Sequence, residues 1–140
     1  MAYDPDNIFA KILRGEIPAQ VVYEDTHTYA FMDIMPQVDG HTLVIPKSAA
    51  TDLTDVSLEA LAHTMTSVQK IAVAVKQAFA APGIMIAQLN GSAAGQTVFH
   101  LHFHVIPRYS GADMGMHARE MASPQDLAAN ADKIRAVLNS

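Results

Sequence analysis

Three of the seven histidines in this 140-residue chain fall within five positions, as His100-Leu101-His102-Phe103-His104, followed by Val105 and Ile106. At that histidine frequency a random chain would hold about 0.02 such period-two patterns. In an extended strand successive side chains point to opposite faces, so the spacing predicts three imidazoles in one row, with Leu101, Phe103 and Val105 turned to a core. A neutral imidazole is a nucleophile at physiological pH, and a neighbouring ring can donate or relay a proton. Alternate Cα atoms on a strand lie roughly 6.6–7 Å apart, so adjacent rings can reach opposite sides of one phosphorus centre. The central ring is the natural attacker, with its neighbours placed for the non-bridging oxygens or the leaving group. The same pattern is also a metal chelate, His at i and i+2 with a further His or carboxylate as third ligand. From spacing alone, catalysis and metal binding stand nearly level. A purely structural row is disfavoured, because each of three buried imidazoles would need a partner.

Composition narrows the setting of that row. At 15.1 kDa the chain is the size of one domain, taken as residues 1–140 with a motif-bearing core over 7–108 and a tail and helix over 109–140. There is no cysteine, which excludes disulfides, thiolate-held zinc and cysteine catalysis. A net charge of −5 with only nine scattered Lys and Arg argues against nucleic acid as a partner and leaves room for a small phosphate ligand in a local pocket. No apolar run approaches a membrane span, and Met1 to Asp6 carry two acids and no basic leader. A soluble, cytoplasmic α+β protein is expected.

The elements that must position the row follow from pattern. Asp6 or Asn7 caps a short helix with Ile8, Phe9, Ile12 and Leu13 as its apolar stripe, closed at Gly15. Strands are expected over Val21 to Tyr23, Thr28 to Met32 and His41 to Ile45, the last stopped by Pro46. A long helix runs from about Ser57 to Phe79, apolar all round over Ile71 to Val75 and so expected to be covered on two sides. Ile84 to Leu89 and Val98 to Ile106 form a hairpin, ended by Pro107. Ser123-Pro124 opens a last helix, to about Leu138. Five strands with segregated helices make an α+β fold.

The row and its surroundings resemble the histidine triad superfamily, and its Hint-like branch in particular. The resemblance is carried by the His-apolar-His-apolar-His-apolar-apolar run, by Asn7 to Ile12 with Gly15 to Ala19, by Ala30 to Ile34 with Pro36-Gln37, by Gly40 to Lys47, and by Asn90 with Gly95 to Phe99. It implies a five-stranded antiparallel sheet with a long helix and shorter helices, pairing into a continuous sheet in a homodimer. It also implies a nucleotide hydrolase acting on purine nucleoside phosphoramidates or related AMP-like conjugates. In that reading His102 forms a covalent nucleotidyl intermediate and His104 assists the leaving group. The His100 carbonyl sets the tautomer of His102, and His41 supports His100.

Asp33 would accept the ribose hydroxyls, while Ile8, Phe9, Phe31 and Ile34 would form the purine slot, although the same four residues would look alike as plain core. Asn90, Gln96 and Thr97 match positions that contact phosphate or leaving group. No cofactor is implied. Many bacterial relatives carry Cys-x-x-Cys where this chain has Asn7-Ile8-Phe9-Ala10, so their zinc site has no counterpart, and no metal is expected. Thr97 stands where several relatives carry Ser. Dinucleoside polyphosphate hydrolysis and nucleotidyl transfer use the same chemistry and remain alternatives, as does a metal-binding or nucleotide-binding regulatory module. His27 and His63 are read as solvent-facing or packing residues, and His117 as part of the tail.

Overall fold

The computed structural model describes residues 2–110 and 120–140. Helix α1 spans Ile8–Leu13, and the Ala10 amide donates to the Asn7 side chain that caps it. Strands β1 (Val21–Glu24), β2 (Thr28–Met32) and β3 (Thr42–Pro46) follow. Then come the long helix α2 (Leu58–Ala78), β4 (Gly83–Ala87), a 3-10 turn (Ser92–Ala94), β5 (Phe103–Arg108) and α3 (Pro124–Leu138). The five strands form one antiparallel sheet in the order β1-β2-β3-β5-β4. Among the described residues, no helix is long and apolar enough to cross a membrane. The expected tail residue His117 lies outside the described residues.

Strand alternation divides the sheet into two faces. Ala30, Val44 and Phe103 are cross-strand neighbours on one face. With Met32 and Val105 they pack on Val68, Ile71 and Val75 of α2 and on Leu127, Ala131 and Ile134 of α3. On the other face Phe31, Leu43 and His104 are cross-strand neighbours. There the smaller cluster of Phe9, Ile12, Phe31, Leu43 and Ile45 is covered by α1 together with Ile17, Ala19 and Val98 from the loops. The helix-covered face holds the sheet together, and the thinly covered face is where a cleft can open.

Two expectations are corrected and a third is narrowed. The histidine strand, expected over 98–106, begins only at Phe103. The chain turns through Gly95, whose φ is 101°, and bends at 98–100, where the Leu101 amide bonds the Ala50 carbonyl at 2.8 Å. A segment tied to the β3–α2 connection in this way cannot also join the ladder. Pro107 does not end β5, because the last pairing with β3 is at Val105 and Pro107 has only β4 beside it. Within the single chain the apolar segment of α2 is covered on one side: Ile71 and Val75 are buried, whereas Val73 is 62% exposed, so a second covering layer does not come from the described residues.

Candidate active site

The thinly covered face opens into a cleft of about 490 Å³ between α1, the end of β2 and the start of β5. His102 and His104 line it, and the register explains why. They sit two residues apart, where β5 begins, and His104 pairs with Leu43 on the open face. Their rings lie 5.1 Å apart at 63°. His100 is not part of this wall. Its ring is wholly buried behind the bend, so the row of three expected from the sequence is a row of two plus one supporting residue.

Hydrogen bonds assign the ring protons. Nδ1 of His102 lies 2.7 Å from the His100 carbonyl, which can only accept, so Nδ1 carries the proton and Nε2 keeps the lone pair. Burial pushes the His102 imidazole below its ordinary value of 6.5, and the bond to the carbonyl only partly opposes this. The ring is therefore neutral, with an unshared pair, at physiological pH. Phe9 meets it edge-on at 4.9 Å.

A second chain of bonds sets His104. The backbone amide of Gln37 donates to Nδ1 of His41 at 3.0 Å, so the His41 proton is on Nε2. That nitrogen lies 2.9 Å from Nδ1 of His104, to which it donates, and 3.4 Å from Oδ2 of Asp33. Nδ1 of His104 is thus an acceptor, and its own proton sits on Nε2. The two cleft histidines hold opposite tautomers, His102 with its lone pair on Nε2 and His104 with its proton there. His41 supports His104 through this bond rather than His100, as the sequence resemblance implied. It is delivered by a turn at Gly40, whose φ is +97° and where an added Cβ would come within 2.8 Å of the Phe79 ring.

Asp33, His41 and His104 also converge closely enough to be weighed as metal ligands. Two nitrogens on one tetrahedral zinc, each at about 2.05 Å, stand about 3.3 Å apart. The 2.9 Å between His41 Nε2 and His104 Nδ1 is a hydrogen-bond distance, and with the Gln37 amide on Nδ1 the His41 proton occupies Nε2, so in this arrangement that nitrogen offers no lone pair to an ion. The cysteine-bearing zinc site raised by the sequence resemblance does not fit either. Asn7 is occupied as the α1 cap, and Ala10 offers no donor atom.

The remaining expected residues divide by position. Ile8, Phe9, Phe31 and Ile34 all line the cleft. Phe9 and Phe31 are buried, meet edge-on at 5.3 Å and form its floor. Ile8 and Ile34 are 38% and 43% exposed at its lip. An exposed apolar lip over an apolar floor is an open slot rather than a closed core. Asp33 lines the cleft as well, with Oδ1 accepting the Met35 amide at 2.8 Å, and so does Thr97.

Asn90 and Gln96 do not line the cleft. Oδ1 of Asn90 accepts from the Leu53 amide and from Gln88 Nε2, both at 2.8 Å. Gln96 is buried, accepts from the Gly91 amide at 2.7 Å and donates to the carbonyls of Thr51 and Val98. Both residues hold the loop that presents Thr97. Sequence reasoning missed the Gln37 amide and the Pro46 carbonyl, which are backbone groups without a residue signature, and Tyr3, which lies 97 positions from its partner. Ile17, Pro18 and Ala19 also line the cleft, and their signal was present in the Gly15 to Ala19 block.

The family model described as "HIT domain" matches residues 14–111. Among curated relatives, "Protein hit" of Bacillus subtilis (strain 168) is 42% identical over 125 residues, covering 86% of each chain. A solved Hit-like protein involved in cell-cycle regulation from Bartonella henselae, with unknown ligand, is 52% identical, with TM-score 0.92 over 98% of this chain and 99% of that one. A hypothetical histidine triad nucleotide-binding protein from Sulfolobus tokodaii is 30% identical, with TM-score 0.86 over 94% and 91%.

Proposed function

This chain belongs to the HIT domain family, and on that premise we propose that it is a nucleotide hydrolase of the Hint-like branch, cleaving purine nucleoside 5′-phosphoramidates or related nucleoside monophosphate conjugates. The observation that carries this reading is the pair of opposite tautomers, His102 with its lone pair on Nε2 and His104 with its proton there.

The base enters the slot between the Ile8 and Ile34 lips, and Asp33 at the same rim accepts the ribose hydroxyls. This brings the α-phosphate to His102. Nε2 attacks phosphorus as the bond from phosphorus to the leaving group breaks, and the leaving group departs with that bonding pair and takes the Nε2 proton of His104. The positive charge on the His102 ring is stabilised at Nδ1–H by the His100 carbonyl. Water then attacks phosphorus and gives a proton back to His104 Nε2, and the bond to His102 Nε2 breaks to release the nucleoside monophosphate. Thr97 supplies a hydroxyl on the leaving-group side, held there by the loop that Asn90 and Gln96 brace.

The reading includes a cytoplasmic homodimer. Strand β4 is a sheet edge whose five residues carry no charge, with Ile86 42% exposed, and Val73 lies exposed on α2. An uncharged apolar edge is a pairing surface, and joining two such edges gives one continuous sheet. The deciding experiment is to quench turnover of an adenosine 5′-phosphoramidate and map the adduct by mass. An AMP adduct on His102, formed equally with and without chelator, is expected. An adduct elsewhere, or strict dependence on added divalent ion, would overturn the mechanism.

A further inference from the structure

His100 is the member of the row that never reaches the cleft, and its two ring nitrogens are both engaged. Nε2 lies 2.8 Å from the Pro46 carbonyl, an acceptor only, so the ring proton is on Nε2. Nδ1 therefore presents a lone pair, and the Tyr3 hydroxyl donates to it across 2.6 Å. The Tyr3 and His100 rings meet edge-on at 5.7 Å. The same residue's backbone carbonyl accepts Nδ1–H of His102. That carbonyl stands outside the sheet, because β5 starts at Phe103 and residues 98–100 are a bend. Its direction is held by the Leu101 amide bonded to Ala50 and by the His100 ring, anchored at both nitrogens.

We propose that Tyr3 is a positioning residue for the His102 nucleophile, acting through His100. Its hydroxyl locks the buried ring and thereby keeps the His100 carbonyl on Nδ1–H of His102. The inference rests on the reading of His102 as the nucleophile. Without the hydroxyl a buried ring nitrogen loses its donor, a deficit that the ring relieves by moving. The carbonyl moves with it, and the His102 proton is then free to redistribute to Nε2, which removes the attacking lone pair.

A competing role for Tyr3 is to tie down the segment that leads into α1, which would affect the nucleotide slot and not the nucleophile. Tyr3→Phe separates the two, since it keeps the ring and removes only the hydroxyl. The expected result is a fall of about 10-fold in the single-turnover rate of His102 adduct formation, with AMP affinity unchanged within twofold. In ¹⁵N spectra of the histidine side chains, the His102 population protonated at Nε2 should rise. An unchanged rate, or a loss confined to AMP affinity, would overturn the proposal. If wild-type protein forms no adduct on His102 at all, the functional reading fails first. The tautomer spectra then still test the link from Tyr3 to His102: no change in them between wild type and Tyr3→Phe would overturn it.

Discussion

Two regions of the molecule bring histidines and a carboxylate together, and they behave differently. At the cleft, His102, His104 and His41 each have a ring nitrogen assigned by a hydrogen bond, and Asp33 stands at their rim. At the turn between β1 and β2, His27 lies flat on His63 of α2, with ring centroids 3.6 Å apart and an angle of 10° between the planes. There the rings meet by their faces. Beside them Asp25 accepts the amides of His27 and Thr28 and the hydroxyls of Thr28 and Tyr23. Burial alone would raise that carboxyl, but these four bonds outweigh it and hold it at about 2. Proximity of imidazoles is common to both regions; only at the cleft are the nitrogens sorted into donor and lone pair. Asp25 is spent on the turn, whereas Asp33 faces the cleft.

The largest test of this contrast is His102→Ala, which should lower turnover by at least about 10³-fold while AMP binding remains measurable. Steady-state kinetics with calorimetric AMP titration would show it, and retained turnover would erase the distinction between the regions. The pH profile is the next test. Because burial lowers the His102 imidazole, it stays unprotonated below the ordinary histidine range. The acid limb of kcat/KM should accordingly lie below pH 6.5; a limb above that value would mean that the ring is not desolvated.

A third test falls on the turn. The Asp25 carboxyl is depressed in the folded state, so its stabilisation is complete above about pH 4 and is lost as pH falls towards 2. Asp25→Asn should cost roughly 1–2 kcal/mol at pH 7 after solvent screening, and the deficit relative to wild type should shrink at pH 2–3. Urea unfolding at the two pH values measures this, while kcat/KM at pH 7 should hold within twofold. The smallest effect is expected for His27→Ala with His63→Ala, which should leave kcat/KM within twofold.

Much of the architecture was legible because its signals are local. The Asn7 and Ser123 caps, the α2 periodicity and the punctuation at Gly15 act within a turn or two of themselves, and each element appears within a few residues of its expected place. The errors came where a distant partner competes for the backbone. Alternation from Val98 to Ile106 reads as a strand, but the bond from Leu101 to Ala50 takes its first half out of the sheet. Distant partners also engage Asn90 and Gln96, whose side chains tie their loop to Leu53 and Thr51 of the β3–α2 connection.

From the sequence alone, the chemistry available was determined: neutral imidazoles two apart, a carboxylate after a strand, apolar residues for a slot, no thiols and no polyanion surface. Those are properties of residue types and spacing, which the chain carries into any conformation. The division of labour among identical histidines was decided only by the tertiary structure. A ring becomes nucleophile or donor according to which nitrogen is bonded, and the groups that decide this here are the His100 carbonyl and, through His41, the Gln37 amide. Every residue has such backbone groups, and only the fold places these few against a ring.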